Sequence, residues 1–274
     1  MPDLSLIIVS RNVSALLDRC LASAKRDPLW RKGRMELLVV DNASGDGTAE
    51  MVRRRHPEAR LIANRRNTGF AAACNQGLRA SRGEFPAVLN ADTVVLDGAL
   101  TRLWGHAREN PGTGIAGPGV LNPDGSPQPT QRRFPNYTNI LFSRKSPISR
   151  YFPDNPWTRR CLEGPRLPDG FLHGVCYILN RRMLDGLGLF DEGYFMYMED
   201  VDLCYRARSA GWGIELVPEA RIVHYWGRST VQEKRAMDQH HRRALYRYFC
   251  KHFRPNFLQR IYLWAGLTAH SLFY

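Results

Sequence analysis

Three carboxylates fall within four residues in Glu199-Asp200-Val201-Asp202, behind the aromatic, Met-rich lead Tyr194-Phe195-Met196-Tyr197-Met198. Charges of one sign this close repel one another, and apolar surroundings disfavour the ionised form. Both effects give a carboxylate the proton affinity of a general base. The same residues suit a helix start, where acids complement the macrodipole. Asp202 also stands four residues before Arg206, the spacing of a helical ion pair. Asp202 is therefore assigned to structure, and Asp200 and Glu199 are the candidate bases. Asn90-Ala91-Asp92 places two oxygen-bearing side chains two residues apart. A hard cation such as Mg²⁺ or Mn²⁺ takes a few protein oxygens and completes its shell with phosphate and water, so this pair can serve one ion. The same pattern can also close a strand as an Asx turn. His224, in Val223-His224-Tyr225-Trp226-Gly227, reads as a metal ligand, a phosphate contact or a packed core residue, and nothing local chooses among them. Asp41 ends an apolar run before a Gly-rich turn, where a carboxylate can accept hydrogen bonds from a nucleobase or a ribose. Ser44, Asp46 and Thr48 nearby read as turn and capping residues.

These residues need a frame that brings them together. Apolar runs at Leu4–Ser10, Glu36–Asp41, Leu61–Ala63 and Phe85–Leu89 alternate with helical spacing over Val13–Lys25, Thr48–Arg55 and Phe70–Arg79. Solid apolar strands separated by helices predict a parallel sheet covered on both faces. Right-handed crossovers then align the strand ends along one rim, where open α/β sheets bind ligands. Ser10-Arg11-Asn12, Asp41 to Thr48, Asn64 to Phe70 and Asn90 to Thr93 all lie on that rim. From about Gly112 the texture changes. Asn122-Pro123-Asp124-Gly125 predicts a hairpin tip. The segment from Arg144 to Arg166, with six basic and two acidic residues and four prolines, predicts a surface loop. Gly170–Leu179 reads as one strand, Arg181–Leu187 as a short helix, Glu199–Ala210 as a helix ending at Gly211, and Gly213–Val217 and Arg221–Tyr225 as two short strands.

The chain has 274 residues, of which 43% are hydrophobic and 24% charged, a balance that excludes a disordered chain, a collagen and a coiled coil. Its 39 Lys plus Arg against 26 Asp plus Glu give a formal charge of +13, which calls for an anionic partner without naming one. The six cysteines include no Cys-x-x-Cys pair, which argues for reduced thiols in cytosol rather than a zinc knuckle or a disulfide framework. Met1-Pro2-Asp3-Leu4 reads as the approach to a strand, not a signal peptide, and no stretch reaches the ~20 apolar residues of a membrane span. There is no G-x-G-x-x-G after the first strand and no G-x-x-x-x-G-K-[ST], so a dinucleotide enzyme and a P-loop NTPase are both disfavoured.

The order of the pieces is more specific than any one of them. VVDNASGDGT, NRRNTGFAAACNQGL, LNADTVV, LFDEGYFMYMEDVDLCYRARSAGW and a late His-x-x-Gly together resemble the family 2 glycosyltransferases of GT-A fold, and within them the bacterial rhamnosyltransferase branch. The resemblance spans roughly residues 4 to 230. It implies an α/β fold with a mostly parallel, Rossmann-like central sheet between helices. It divides the chain into a nucleotide-binding half (1–111), an acceptor and catalytic half (112–232) and a basic helical tail (233–274). It further implies a nucleotide-diphospho-sugar donor, one divalent cation (Mg²⁺ or Mn²⁺), and inverting transfer to an acceptor hydroxyl on a glycan or polyprenyl-diphosphate-linked saccharide of the cell envelope. The setting would be the cytoplasmic side of the membrane. By motif, Asp41 contacts the base, and Ser10, Arg11, Asn12, Asn67, Gly69, Asn75 and Asn90 lie on the donor side. Asp92 is the metal-binding acid of an Asp-x-Asp motif whose first acid is here Asn90, and His224 joins the metal. Asp200 is the base, Glu199 orients the acceptor and Asp191 gives support. L-Rhamnose from its thymidine-diphosphate donor is the preferred sugar.

In the tail, Leu245, Tyr248, Phe249, His252 and Phe253 share a helical face flanked by Arg242, Arg243, Arg247 and Lys251. Such a helix can lie on an anionic membrane or dock on the domain, and the apolar end Ser271–Tyr274 suggests a longer natural tail. Two other readings compete: a sugar nucleotidyltransferase, which would want a Gly-rich phosphate loop near the N-terminus, and a non-enzymatic binder of nucleic acid or membrane, which leaves the 199–202 acids unexplained.

Overall fold

Strand β1 (Leu4–Ser10) is buried at every position, because consecutive side chains enter two different cores. Leu4, Leu6 and Ile8 join one apolar cluster, and Ile7 and Val9 join the other, as the period of two along a strand requires. The computed structural model describes residues 1–138, 151–156, 158–159, 170–225 and 234–272. Along the first half run α1 (Ser14–Ala24), α2 (Pro28–Arg31), β2 (Met35–Asp41), α3 (Thr48–Arg55), β3 (Arg60–Ala63), α4 (Phe70–Ala80), β4 (Phe85–Asn90), β5 (Thr93–Val95) and α5 (Ala99–Glu109). Then come β6 (Thr113–Leu121), β7 (Pro127–Gln128), β8 (Gln131–Arg133), β9 (Gly170–Leu172), β10 (Cys176–Leu179), α6 (Arg181–Leu187), α7 (Glu199–Ser209), β11 (Gly213–His224), α8 (Lys234–Phe253) and α9 (Phe257–Leu272).

The main sheet runs β3-β2-β1-β4-β10-β6-β11-β5, with β7 attached to β6. β1, β2, β3 and β4 are mutually parallel, whereas β10 is antiparallel to both β4 and β6. The sheet is thus mixed: its parallel half is the expected one, and the strands after residue 112 turn it. Helices α1, α3 and α5 pack on one face, and α4, α7, α8 and α9 on the other.

Two sequence expectations change in detail. Gly170–Leu179 is not one strand: β9 pairs with β8 apart from the main sheet, β10 joins the main sheet, and His173-Gly174-Val175 links them. Gly174 gives its N–H to a side chain instead of a ladder. Conversely, residues 213–224 form one strand with a break in register between Val217 and Arg221, where Pro218 has no N–H to donate. The Asn122–Gly125 tip stands as expected, with Gly125 N–H donating to Asn122 O and Gly125 at φ +84°. The basic Arg144–Arg166 segment falls largely outside the described residues.

The tail helix docks on the domain. Tyr248 and Phe249 are fully buried in the cluster that holds Val201 and Leu203, so the face that the sequence offered to a membrane is taken up by the protein itself. The five described cysteines are unpaired thiols.

Candidate active site

The parallel register places Ser10 beside Asp41 and Val9 beside Asn90, so three strand ends form one rim. On it, Asp41 is buried and accepts from Ser44 N–H (3.2 Å). Asn12, at φ +54°, receives Gly45 N–H on its Oδ1 and gives its own N–H to Ser44 Oγ, which fastens the first two loops together. Arg11 is exposed beside it. Ser10 Oγ is buried and has no partner among the described residues.

The loop from Asn64 to Gly69 is shaped by an amide hub. Asn42 Nδ2 donates to Asn67 Oδ1 (2.8 Å) and Gly69 O, while its Oδ1 accepts from Thr68 N–H, Thr68 Oγ1 and Asn64 Nδ2. Asn67 therefore spends its carbonyl on Asn42 and on Gly69 N–H. Gly69 has φ +86°, and a Cβ there would lie 2.6 Å from Phe195 O, so the position admits only glycine. Phe70 N–H donates to that same Phe195 carbonyl at 2.7 Å. Asn75 is buried in α4 with both ends of its amide satisfied, by Phe190 N–H and O and by Glu192. It thus clamps α4 to the segment that leads into α7.

At the β4 tip, Asn90 N–H donates to Val175 O (3.0 Å). Two residues earlier, His173 has its ring Nδ1 3.9 Å from Asp200 Oδ2, and Gly174 N–H donates to that oxygen at 2.9 Å. A side chain at Gly174 would crowd Asp200, with a Cβ 3.1 Å from Oδ2. Three residues, 173 to 175, thus join the end of β4 to the acids at the start of α7. Asp92, in the turn between β4 and β5, meets His224 at the end of β11, Asp92 Oδ1 lying 3.3 Å from His224 Nε2. His224 Nδ1 is 2.8 Å from Gln128 Oε1. Since an amide oxygen only accepts, His224 Nδ1 is the donor in that contact, and the bond fixes the ring with Nε2 turned toward Asp92.

The three acids of α7 have separate environments. Tyr197 and Met198, at φ +69° and +67°, turn the chain into the helix through two left-handed non-glycine residues, a strain of the kind that concentrates at functional sites. Glu199 is buried, and its Oε2 has no partner among the described residues. Burial, then the Asp200 charge, pushes its carboxyl well above the usual range, which favours the protonated form of Glu199. Asp200 accepts backbone N–H bonds from Gly174 and Val201. Asp202 is fully buried and turns away toward the tail: Arg206 Nε (2.8 Å), Lys251 Nζ (2.7 Å) and His252 Nε2 (2.8 Å) surround it. Burial raises its carboxyl, but the hydrogen bonds from His252, Lys251 and Arg206 outweigh burial and hold it well below the usual range. Asp191 pairs with Arg247 and Lys251 of the same tail helix.

The sequence residues thus separate. Asp41 and Asn90 end strands on either side of β1, Asp92 meets His224, and Asp200 is tied to the β4 end through residues 173–175, whereas Asp202 and Asp191 anchor α8 and Asn67 and Asn75 shape the loop and helix that follow β3. Asn42, Gln128 and His173 were not foreseen. Asn42 lies inside a quoted motif, but Gln128 and His173 belong to no pattern.

A metal would find a mixed donor set here. Asp92 offers a carboxylate oxygen and His224 a ring nitrogen whose orientation Gln128 fixes, the outer-shell support that metal-bound histidines usually have. No group of three or more Asp, Glu, His or Cys side chains stands ready as a metal cage among the described residues. Two protein ligands with the remaining positions filled by phosphate and water fit a cation that arrives with a diphosphate.

Comparison with known proteins agrees with this geometry. The family model for glycosyl transferase family 2 matches residues 5–187. The chain is 32% identical over 259 residues, 89% of its own length and 82% of the relative's, to an N-acetylglucosaminyl-diphospho-decaprenol L-rhamnosyltransferase of Mycobacterium tuberculosis. It is 26% identical, over 82% of its length and 67% of the relative's, to a low-salt glycan biosynthesis hexosyltransferase of Haloferax volcanii. In fold it resembles a mannosyltransferase of Pyrobaculum calidifontis solved with GDP-Man and Mn²⁺, at a TM-score of 0.61 and 20% identity, covering 97% of this chain and 70% of that one. The rim of strand ends, the acids of α7 and these likenesses together place the chain in glycosyl transferase family 2, as a glycosyltransferase of GT-A fold.

Proposed function

We propose that this glycosyltransferase moves L-rhamnose, with inversion, from thymidine-diphospho-rhamnose to a hydroxyl of a saccharide carried on a polyprenyl diphosphate. Residues 1–111 take the donor and residues 112–232 the acceptor. The observation that carries the reading is the 173–175 bridge, which holds Asp200 beside the β4 tip. The similarity to the mycobacterial enzyme, whose name specifies rhamnose and a lipid-diphosphate-linked N-acetylglucosamine, supports the choice of sugar and acceptor. An acceptor of that class puts the reaction at the cytoplasmic face of a membrane. No helix among the described residues is long and apolar enough to cross one.

In the step itself, Asp200 takes the proton of the acceptor hydroxyl as that oxygen bonds to the anomeric carbon. The bond from that carbon to the diphosphate breaks on the opposite side, and the electron pair leaves with the nucleotide diphosphate. One displacement gives one inversion. A divalent cation at Asp92 and His224 would offset the charge that grows on the departing diphosphate. The nitrogen ligand favours Mn²⁺ over the harder Mg²⁺. Asp41 receives the base, and Glu199, protonated, can donate to an acceptor oxygen. The reading is tested by product formation with thymidine-diphospho-rhamnose and a polyprenyl-diphosphate-linked N-acetylglucosamine, against a panel of uridine- and guanosine-diphospho sugars. Faster transfer from another nucleotide sugar would replace the donor, and a product of retained configuration would end the single-displacement mechanism. Gln128→Leu, which frees the His224 ring, raises the Mn²⁺ concentration for half-maximal rate by about tenfold. A titration that leaves it unmoved would show that His224 does not bind the metal.

A further inference from the structure

Helix α9 is apolar on two sides. Leu263 is buried in the core cluster of the domain, Leu267 is also buried, and Tyr262 OH donates to Tyr137 O. Phe257, Leu258, Ile261 and Trp264, at i, i+1, i+4 and i+7, fall on a roughly opposite arc. Three of them are more than 60% exposed: Phe257 75%, Leu258 74% and Trp264 67%. Arg260 is the single Asp, Glu, Lys or Arg among the helix's 16 residues. A contiguous aromatic and aliphatic strip of this kind on a surface marks an interaction site.

Charge selects the occupant. From residue 239 to the end there are six Lys and Arg and no Asp or Glu. Of these, Arg243, Arg254 and Arg260 are exposed and have no ion pair among the described residues. A second copy meeting this face would bring positive against positive, at a cost in like-charge repulsion. An anionic lipid surface would neutralise the arginines and take the apolar strip at its headgroup boundary, where Trp and Phe are at home. No helix among the described residues is long and apolar enough to cross a bilayer, and an apolar strip along one exposed face of a helix suits lying in the plane of a membrane.

We propose that α9 is the membrane-contact element of this enzyme: its Phe257, Leu258, Ile261 and Trp264 strip enters the interface of an anionic leaflet, with Arg243, Arg254 and Arg260 against the headgroups. The proposal deepens the lipid-linked acceptor reading and rests on it for its purpose, since α9 packs in the same core cluster as Val201 of the base-bearing helix.

The test is co-sedimentation of the full chain with phosphatidylcholine vesicles containing phosphatidylglycerol, without donor or acceptor. Binding is expected at low salt, weaker on pure phosphatidylcholine and at high salt. The combined Phe257→Ser, Leu258→Ser, Ile261→Ser and Trp264→Ser variant should lose about a hundredfold in partition while keeping its melting temperature, because these side chains face outward. Arg243→Gln with Arg254→Gln and Arg260→Gln should flatten the salt dependence. A chain that ignores the anionic vesicles at low salt would overturn the proposal, as would a serine variant that binds like the parent. A dimer that the serine variant disperses would assign the strip to a second copy instead. Vesicle binding without sugar transfer from any nucleotide sugar would count against the proposed reaction and leave this surface standing.

Discussion

Asp200→Asn should lower kcat by about a thousandfold while nucleotide-sugar binding stays unchanged, since loss of a positioned base removes a contribution of that order. An amide cannot take the acceptor proton, yet it fills the same volume and its oxygen can still receive Gly174 N–H. The amide nitrogen then faces Val201 N–H, a local loss of one hydrogen bond that leaves the fold standing, and the large loss should fall on the chemical step. Glu199→Gln is the internal comparison. Burial and the Asp200 charge favour the protonated form of Glu199, which a neutral amide imitates, so the variant should cost less than about tenfold. Steady-state rates for the two variants separate the roles. Full turnover in Asp200→Asn, or a larger loss in Glu199→Gln, would move the base off Asp200.

Asp202→Asn should cost stability rather than chemistry, about 3 kcal/mol, because it leaves Arg206, Lys251 and His252 facing a neutral partner in a buried site. For a chain of this size that is a drop in Tm of about 8 °C, readable by calorimetry. The pH dependence follows from the direction of the shift. The Asp202 carboxyl is held below its ordinary value by His252, Lys251 and Arg206 despite burial. Its contribution is therefore fully present above the ordinary carboxylate pKa of about 4 and is lost as pH falls through the lower folded-state value. The parent should lose Tm in acid below about pH 4, and Asp202→Asn should lack that part of the decline. Equal acid sensitivity in the two proteins would show that the tail is anchored elsewhere.

The parallel half of the fold was legible because β1, β2 and β4 are buried on both faces and read as unbroken apolar runs. Their ends carry Asp41 and Asn90, so the alignment of these strand ends follows from connection rules alone. The second half was harder. β6 contains Gly114, Gly117, Pro118 and Gly119, and shows no strand pattern, yet it sits between β10 and β11. Helix α5 was passed over beside it. Pro218 split one strand into two in the reading, because its missing N–H looks like a terminus when it is only an irregularity. The helical spacing of α8 did mark an apolar face, but amphipathicity does not say whether protein or lipid covers it. Tyr248 and Phe249 went to the core, and the exposed strip turned out to lie one helix further on. Gln128 and His173 had no signal at all. Gln128 meets His224 across 96 residues of chain, a distance over which only the assembled sheet makes neighbours.

The clamp between α4 and the segment before α7 has a practical reach. Asn75 holds Phe190 and Glu192, Gly69 leaves no room above the Phe195 carbonyl, and Phe70 donates to it. Residues 67–75 and 190–195 are thus one fitted joint, though more than a hundred positions separate them. A chimera that borrows the 64–80 stretch of a relative to change the sugar it accepts must import the relative's 190–198 stretch as well, or the two halves of the graft will not seat.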